Sequence, residues 1–515
     1  MKRSPIFKII AGITAALLLF PGCTTDERPS SVEPPDSGIP SVTAGEENTT
    51  ATTAGTIQTS ASLPAGIAWK PATNVTVNSL FCDNAVLQQG KPVPVWGTGT
   101  DGKTVTVRFH DQVKETTVEN GKWRVNLDPM TACAVNQPLF VTQDDEAITV
   151  HNVLVGEVWL VSGQSNITVQ FFSLTMMDQQ KERAKGERDG LRQFWVPQNA
   201  AEEPLTEISE PAWKICNDEN ISTYSAVGYY FASKLYEELG VPVGILTSAV
   251  GGTVLEQWLD SKLVVKEGVK NPYIHIGRNS LYNGMIAPLM PFAIKGIVWY
   301  QGESNMGADY RESTYEKTFA LYLHTYRAGF EDENLPVCQV QLPIFDSDQH
   351  WESVEGWKYF RYTQLALSQH LSKVYTAITI DCGDKENIHP VDKQPVGERL
   401  TLLALEHVYG KDVQGDAPVY RSHTVSGETV TVTLDNVDTG LTVKGEAITN
   451  IRVRDSAGTW ENANCRIGDN GKTLIFSAEG VSSPTGISYC DDNAPMATVF
   501  EKNGLPLAPF RVEWK

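Results

Sequence analysis

A doubly wound α/β domain with a mainly parallel sheet, flanked on each side by a β-rich segment, is the fold this sequence predicts. Three observations carry the expectation. Between residues 153 and 410, apolar runs of strand length alternate with helical stretches. Before and after that stretch, short β-rich runs alternate with turn residues instead. The apolar runs of the middle stretch end on polar, glycine-bearing segments, which is where an open α/β sheet builds its ligand site. At 515 residues the chain also exceeds the roughly 250 to 300 residues at which single cores stop growing.

The chain opens on Met1, Lys2 and Arg3, followed by an apolar run from Ile9 to Phe20 and then Pro21, Gly22 and Cys23. This is the pattern of an export signal, and the run is shorter than the ~20 residues that span a bilayer. Cysteine after Leu19-Phe20-Pro21-Gly22 resembles a bacterial lipobox, which implies cleavage and lipid attachment at Cys23. The expected location is extracytoplasmic, as a cell-surface lipoprotein, with plain secretion as the alternative. Residues 24–64 are Thr, Ser, Pro, Glu, Asp and Gly with almost nothing apolar, too little to offset ordering entropy. They read as a tether.

Residues 65–152 predict an N-terminal β domain, with runs such as Val93-Pro94-Val95-Trp96-Gly97 and Thr104-Val105-Thr106-Val107-Arg108-Phe109. Gly97-Thr98-Gly99-Thr100-Asp101-Gly102 matches a dinucleotide-binding glycine pattern on paper, but no helical period follows it, so it is a turn between strands. Residues 153–410 form the expected catalytic domain, with strand runs at Val153–Val161, Val243–Thr247, Ile294–Tyr300, Val337–Leu342 and Val374–Ile380. Helices are expected over Tyr224–Leu239 and Val396–Tyr409, each stopped by a glycine. Residues 411–515 return to strand and turn, as in Thr429-Val430-Thr431-Val432-Thr433-Leu434, and predict a C-terminal β domain.

With 42 basic and 62 acidic residues the net charge is -20, which repels nucleic acid and anionic lipid. Any membrane contact is expected only through the lipid anchor. The seven cysteines after Cys23 are widely spaced and form no C-x-x-C pair, so neither a disulfide framework nor a zinc site is indicated.

Four strand runs end in segments rich in the residue types of acyl transfer: Ser162-Gly163-Gln164-Ser165-Asn166, Ser248-Ala249-Val250-Gly251-Gly252-Thr253, Gln301-Gly302-Glu303-Ser304-Asn305, and Asp381 through His389 and Pro390. Acyl transfer needs a nucleophile, a base in hydrogen-bond reach, an acid that orients the base, and donors for the oxyanion. Ser165, beside Gly163 at a strand end, is the candidate nucleophile, and His389 the candidate base. The backbone N–H of Ser165, that of Gly251 or Gly252, and the amide of Gln301 or Asn305 are candidate oxyanion donors. For the acid, Asp384 and Glu386 lie near His389 in sequence, Asp381 sits at a strand end, and Glu303 could approach across the sheet. Gln164, Asn166 and Trp258 are candidate substrate contacts, and Arg278 or Lys393 could meet a sugar carboxylate.

These segments resemble the sialate O-acetylesterases, within the SGNH (GDSL-like) hydrolase superfamily. The resemblance runs through Gly156-Glu157-Val158-Trp159, Gly163-Gln164-Ser165-Asn166, Gly251-Gly252-Thr253 with Trp258, Leu281 to Leu289, Trp299-Tyr300-Gln301-Gly302-Glu303-Ser304-Asn305, and Ile388-His389-Pro390 with Lys393. It extends into the flanks at Val86-Leu87-Gln88, Pro92 to Gly97 and Gly504-Leu505-Pro506. The chain departs from the family at Ile167, where Met is usual, and at Thr131-Ala132-Cys133-Ala134, where the family is glycine-rich. The resemblance implies hydrolysis of acetyl esters on sialic acids or related sugars, through a serine of the first block and a histidine of the last, without metal or organic cofactor. It implies that the flanking β segments belong to the architecture. An esterase acting on acetylated xylan or another glycan, and a glycan-binding protein without activity, are the rival expectations.

Overall fold

The computed structural model describes residues 60–260, 262, 281–306, 312–347 and 356–515. The expected export segment, Cys23 and the tether through residue 59 lie outside them, as does Arg278.

The organising element is one long strand, β1, Glu146–Gly163, of 18 residues. Six further strands build the α/β sheet around its second half: β2 (Arg188–Trp195), β3 (Trp213–Cys216), β4 (Val243–Ala249), β5 (Gly296–Tyr300), β6 (Val337–Val340) and β7 (Val374–Ala377). Their order is β3-β2-β4-β1-β5-β6-β7. Neighbours are parallel except β3, which runs antiparallel to β2. Strands of such a sheet lose their alternation because both faces are covered; β4 and β5 are buried at every residue.

Four helices cover the faces: α1 (Ala226–Leu239), α2 (Glu312–Gly329), α3 (Trp357–His370) and α4 (Gln394–His407). Trp159 on β1 packs edge-on against Phe231 of α1, ring centroids 5.0 Å apart. Trp299 on β5 lies three residues beyond Gly296, the residue in register with Trp159, so it points to the opposite face. There it meets Tyr322 of α2 at 4.7 Å. The sheet is therefore doubly wound, with α1 and α4 packed together on one face and α2 with α3 on the other. Ser225 starts α1 by accepting the Gly228 N–H at 3.2 Å, and Gly240, with φ 65°, ends it.

The first half of β1 belongs to the N-terminal β layer, pairing with Val86–Gln88 in parallel and with Cys133–Gln143 in antiparallel. The boundary expected between residues 152 and 153 thus falls inside one strand. One hydrophobic core runs from Val75 and Leu80 through β1 to Leu403. The glycine-bearing segment 99–103 is the turn between strands Val93–Thr98 and Thr104–Phe109. A second core fills the C-terminal region between two four-stranded antiparallel sheets and takes in Ile378 and Ile380, just past β7. The seven described cysteines are unbridged.

Arg192, on β2, fastens the N-terminal layer to the α/β sheet. Its side chain is 1 % exposed and donates to the carbonyls of Asn84 (2.8 Å), Asn152 (2.6 Å) and Asp189 (2.9 Å) and to Asn152 Oδ1 (3.0 Å). Each buried acceptor left without a donor costs about 1–3 kcal/mol. Arg192→Met is expected to lower stability by about 3 kcal/mol or more, read as a lower urea midpoint; an unchanged midpoint would contradict this role.

Candidate active site

The carboxyl ends of β1, β4 and β5 and the segment after β7 converge, and buried polar side chains hold them together. At the end of β1 the chain must turn sharply beside β5. Gly163 makes that possible: its φ is 143°, and a β-carbon there would lie 2.0 Å from the Tyr300 carbonyl oxygen. The turn is closed by Gln164 N–H to the Tyr300 carbonyl (3.0 Å) and Val250 N–H to the Gly163 carbonyl (3.3 Å). Ser165 follows, half-buried, at the start of a single helical turn, Ser165–Thr168. Gly251 faces it directly, since a β-carbon at 251 would stand 3.3 Å from the Ser165 β-carbon. Both Gly251 and Gly252 are exposed, which leaves their N–H groups open to a ligand.

Asn166 is 1 % exposed. Its Nδ2 donates to Glu303 Oε1 (2.8 Å) and to the Ile388 carbonyl (3.1 Å), and its Oδ1 accepts from Lys393 Nζ (2.5 Å). The residue after Ser165 is thereby tied to the residue before His389. His389 is exposed at this edge, and its backbone N–H donates to Asn387 Oδ1 at 2.9 Å.

Several expected roles need correction. Gln301 Nε2 donates to Gln164 Oε1 (3.1 Å), the Thr253 carbonyl (3.1 Å) and Asn305 Oδ1 (2.6 Å), so its two hydrogens already face three acceptors. Asn305 is fully buried and turns its Nδ2 onto Glu256 Oε2 at 3.1 Å. Neither amide is free to meet an oxyanion; both brace the strand ends. Gln164 (2 % exposed) accepts from Gln301 and from the backbones of Gly302 and Ser304. Trp258 is fully buried, donating to Thr253 Oγ1 at 3.0 Å and packing edge-on against Trp299. Gln164, Asn166 and Trp258 therefore present no surface to a substrate. Lys393, also 1 % exposed, is spent on Asn166 rather than on a sugar carboxylate.

Of the four candidate acids, Asp381 is committed elsewhere and Glu303 is half engaged. Asp381 grips Arg399 with both oxygens, at 2.6 and 2.7 Å. Glu303 serves Asn166 with Oε1, and its Oε2 is buried without a hydrogen-bond partner among the described residues. Asp384 and Glu386 lie exposed on the loop of His389, where Asp384 Oδ1 accepts the N–H groups of Glu386 (2.8 Å) and Asn387 (3.2 Å).

The electrostatics are those of a desolvated floor. Burial raises Glu303 above the usual carboxylate range and pushes Glu256 up to about 7. Burial also draws Lys393 down to about 7, against the opposing pull of Glu303. Glu256, Tyr315, which donates to Gln301 Oε1 at 2.8 Å, and the contact of Lys393 with Asn166 were not drawn from the sequence. The only sequence signal for them is position, beside polar strand ends.

Residues 155–400 match the family model described as carbohydrate esterase, sialic acid-specific acetylesterase. Sialate O-acetylesterases of Pongo abelii and Homo sapiens are each 30 % identical over 375 residues, covering 64 % of this chain and 71 % of theirs. The crystal structure of a carbohydrate acetylesterase from Xanthomonas citri superposes with a TM-score of 0.78 at 31 % identity, covering 85 % of this chain and 99 % of that one.

Glu256 yields a pH prediction. A carboxyl that titrates near 7 when folded and at 4.5 otherwise holds its proton in the folded state across that window while the unfolded chain releases it. Stability therefore falls as pH rises from 4.5 to 7, by up to about 3 kcal/mol, and is level above. Glu256→Gln keeps an acceptor for Asn305 and removes the titration. Urea melts should show the variant gaining on the wild type between pH 5 and pH 8; an equal difference at both would rule the assignment out.

Proposed function

This chain belongs to the sialic acid-specific acetylesterase family of carbohydrate esterases and is a carboxylic ester hydrolase; we propose that it removes O-acetyl groups from sugars with Ser165 as nucleophile and His389 as base. One observation carries the residue assignment. Asn166, next to Ser165, holds the carbonyl of Ile388, next to His389, at 3.1 Å, so the two segments, 222 residues apart in sequence, meet at one edge of the sheet, which supports pairing Ser165 with His389.

In this reading His389 takes the Ser165 proton as the hydroxyl oxygen attacks the acetyl carbonyl. The negative charge that develops on the carbonyl oxygen is met by the backbone N–H groups of Ser165 and of Gly251 or Gly252. The tetrahedral adduct collapses to an acetyl-enzyme, and the sugar hydroxyl leaves with the proton from His389. Water then attacks the acetyl-enzyme with the same base, releasing acetate. Asp384 or Glu386, on the loop of His389, supplies the carboxylate that orients the imidazole. No step draws on a metal or an organic cofactor.

O-acetylated sialic acid is the first substrate to test, following the family and the mammalian relatives. A second reading, acetylated xylan or another neutral glycan, is favoured by the burial of Lys393, the basic residue that the sequence places beside His389. The proposed setting is extracytoplasmic, with the mature chain held by lipid at Cys23.

Ser165→Ala is expected to abolish acetate release from O-acetylated sialic acid, acetylated xylan and an aryl acetate, with an unaltered melting curve; full activity in that variant would overturn the nucleophile. Which of the two glycans the wild type deacetylates with the higher kcat/KM decides between the readings, and a wild type inert on all three substrates would leave only glycan binding. Gly251→Val, which must displace the Ser165 β-carbon, is expected to cut kcat on the aryl acetate by about 100-fold or more. A variant of wild-type rate would remove this glycine from the site.

A further inference from the structure

Below the Ser165 turn, three polar side chains from three separate segments meet out of contact with solvent. Asn166 follows β1, Glu303 follows β5, and Lys393 directly precedes α4, four residues after His389. Their exposures are 1, 3 and 1 %. Asn166 uses both amide hydrogens, one on Glu303 and one on the Ile388 carbonyl, while its oxygen faces the Lys393 amine.

A carboxamide is nearly symmetric in shape, so its neighbours decide which way it points. Were the Asn166 amide reversed, its NH2 would face the Lys393 amine and its oxygen would face the Glu303 carboxyl and the Ile388 carbonyl. With Glu303 ionised and Lys393 protonated, every contact would then oppose donor to donor or acceptor to acceptor. Only in the observed sense is the Ile388 carbonyl held, and only then is the segment carrying His389 fastened to the Ser165 turn.

We propose that Glu303 and Lys393 are positioning residues for acyl transfer: together they fix the sense of the Asn166 amide, and that amide keeps His389 in register with Ser165. The inference rests on the assignment of Ser165 and His389 made above. The charges support each other. Burial opposes the charge on both, but Glu303 and Asp392 favour the protonated form of Lys393, while the Asn166 amide and Lys393 favour the ionised form of Glu303.

The test compares kcat and KM on an aryl acetate, across pH, for the wild type, Ser165→Ala, Lys393→Met and Glu303→Gln, with melting curves for each. Lys393→Met leaves the Asn166 oxygen without its donor and is expected to lower kcat by about 100-fold with KM within about twofold. Glu303→Gln has the same shape as the native residue and should fold even where Lys393→Met does not. It can present either an oxygen or an NH2 to Asn166, so kcat should fall. Loss of the carboxylate also removes an attraction for the Lys393 proton, so the pH above which kcat declines should move down. Both variants at wild-type kcat and pH profile, with Ser165→Ala inert, would overturn the inference while sparing the catalytic assignment. A lower melting temperature with kcat unaltered would likewise overturn it, by making the cluster structural alone. An active Ser165→Ala would instead sink the assignment beneath it.

Discussion

Parallel strands that end together inside a protein leave backbone N–H and carbonyl groups with no further strand to pair with, and each such buried group needs a partner. Here the partners are side-chain amides. Asn166 takes the Ile388 carbonyl, Gln301 takes that of Thr253, and Gln164 receives the N–H groups of Gly302 and Ser304. Gln364, from α3, spans β5 and β6 by donating to the carbonyls of Gln301 and Val340 and accepting from Leu342 N–H. A carboxamide both donates and accepts, so one residue can link two chain ends without bringing a charge into the interior. The candidate site depends on this bracing, because Ser165 and His389 lie on segments that share no backbone hydrogen-bond ladder.

The same bracing explains what the sequence disclosed and what it hid. Apolar runs and glycine-terminated helices located β1, β4, β5, β6, β7, α1 and α4, because burial on both faces leaves little but apolar residues. Strand β2 escaped notice: Arg188 and Arg192 interrupt its apolar pattern, and only the folded chain shows them buried and satisfied, Arg188 by Ser233 and Tyr229, Arg192 by backbone carbonyls. At the site, the residue types of acyl transfer could be read from the strand ends, whereas the division of labour among them could not. Gln301 and Asn305 look like oxyanion donors in sequence; the three acceptors around Gln301 Nε2 and the complete burial of Asn305 beside Glu256 show them to be braces. Trp258 looks like a sugar platform until Trp299 and Thr253 are found on it.

Charge is distributed unevenly between the surface and the floor of the candidate site. The chain carries a net -20, yet beneath the site the ionisable groups are few, buried and opposed to one another. Glu303 faces Lys393 across Asn166, and Glu256 is capped by Asn305. A surface field of one sign acts on whatever charge the sugar carries and leaves the acetyl group itself, which is neutral, untouched. At the candidate site, the exposed backbones of Gly251 and Gly252 beside Ser165 offer N–H groups rather than ionised side chains.

Strand β1 spans the N-terminal layer and the α/β sheet without a break, and this governs how the protein comes apart. A module joined by a linker can melt, be clipped off or be exchanged between relatives while its neighbour survives. Here the layer before residue 152 and the strand that leads to Ser165 share one ladder and one core. Fraying that begins at Glu146 travels along the same backbone that ends at Gly163, so amide exchange in the two halves should report a single opening event. The N-terminal β layer is therefore no detachable appendage but is continuous with the α/β body through one strand and one core.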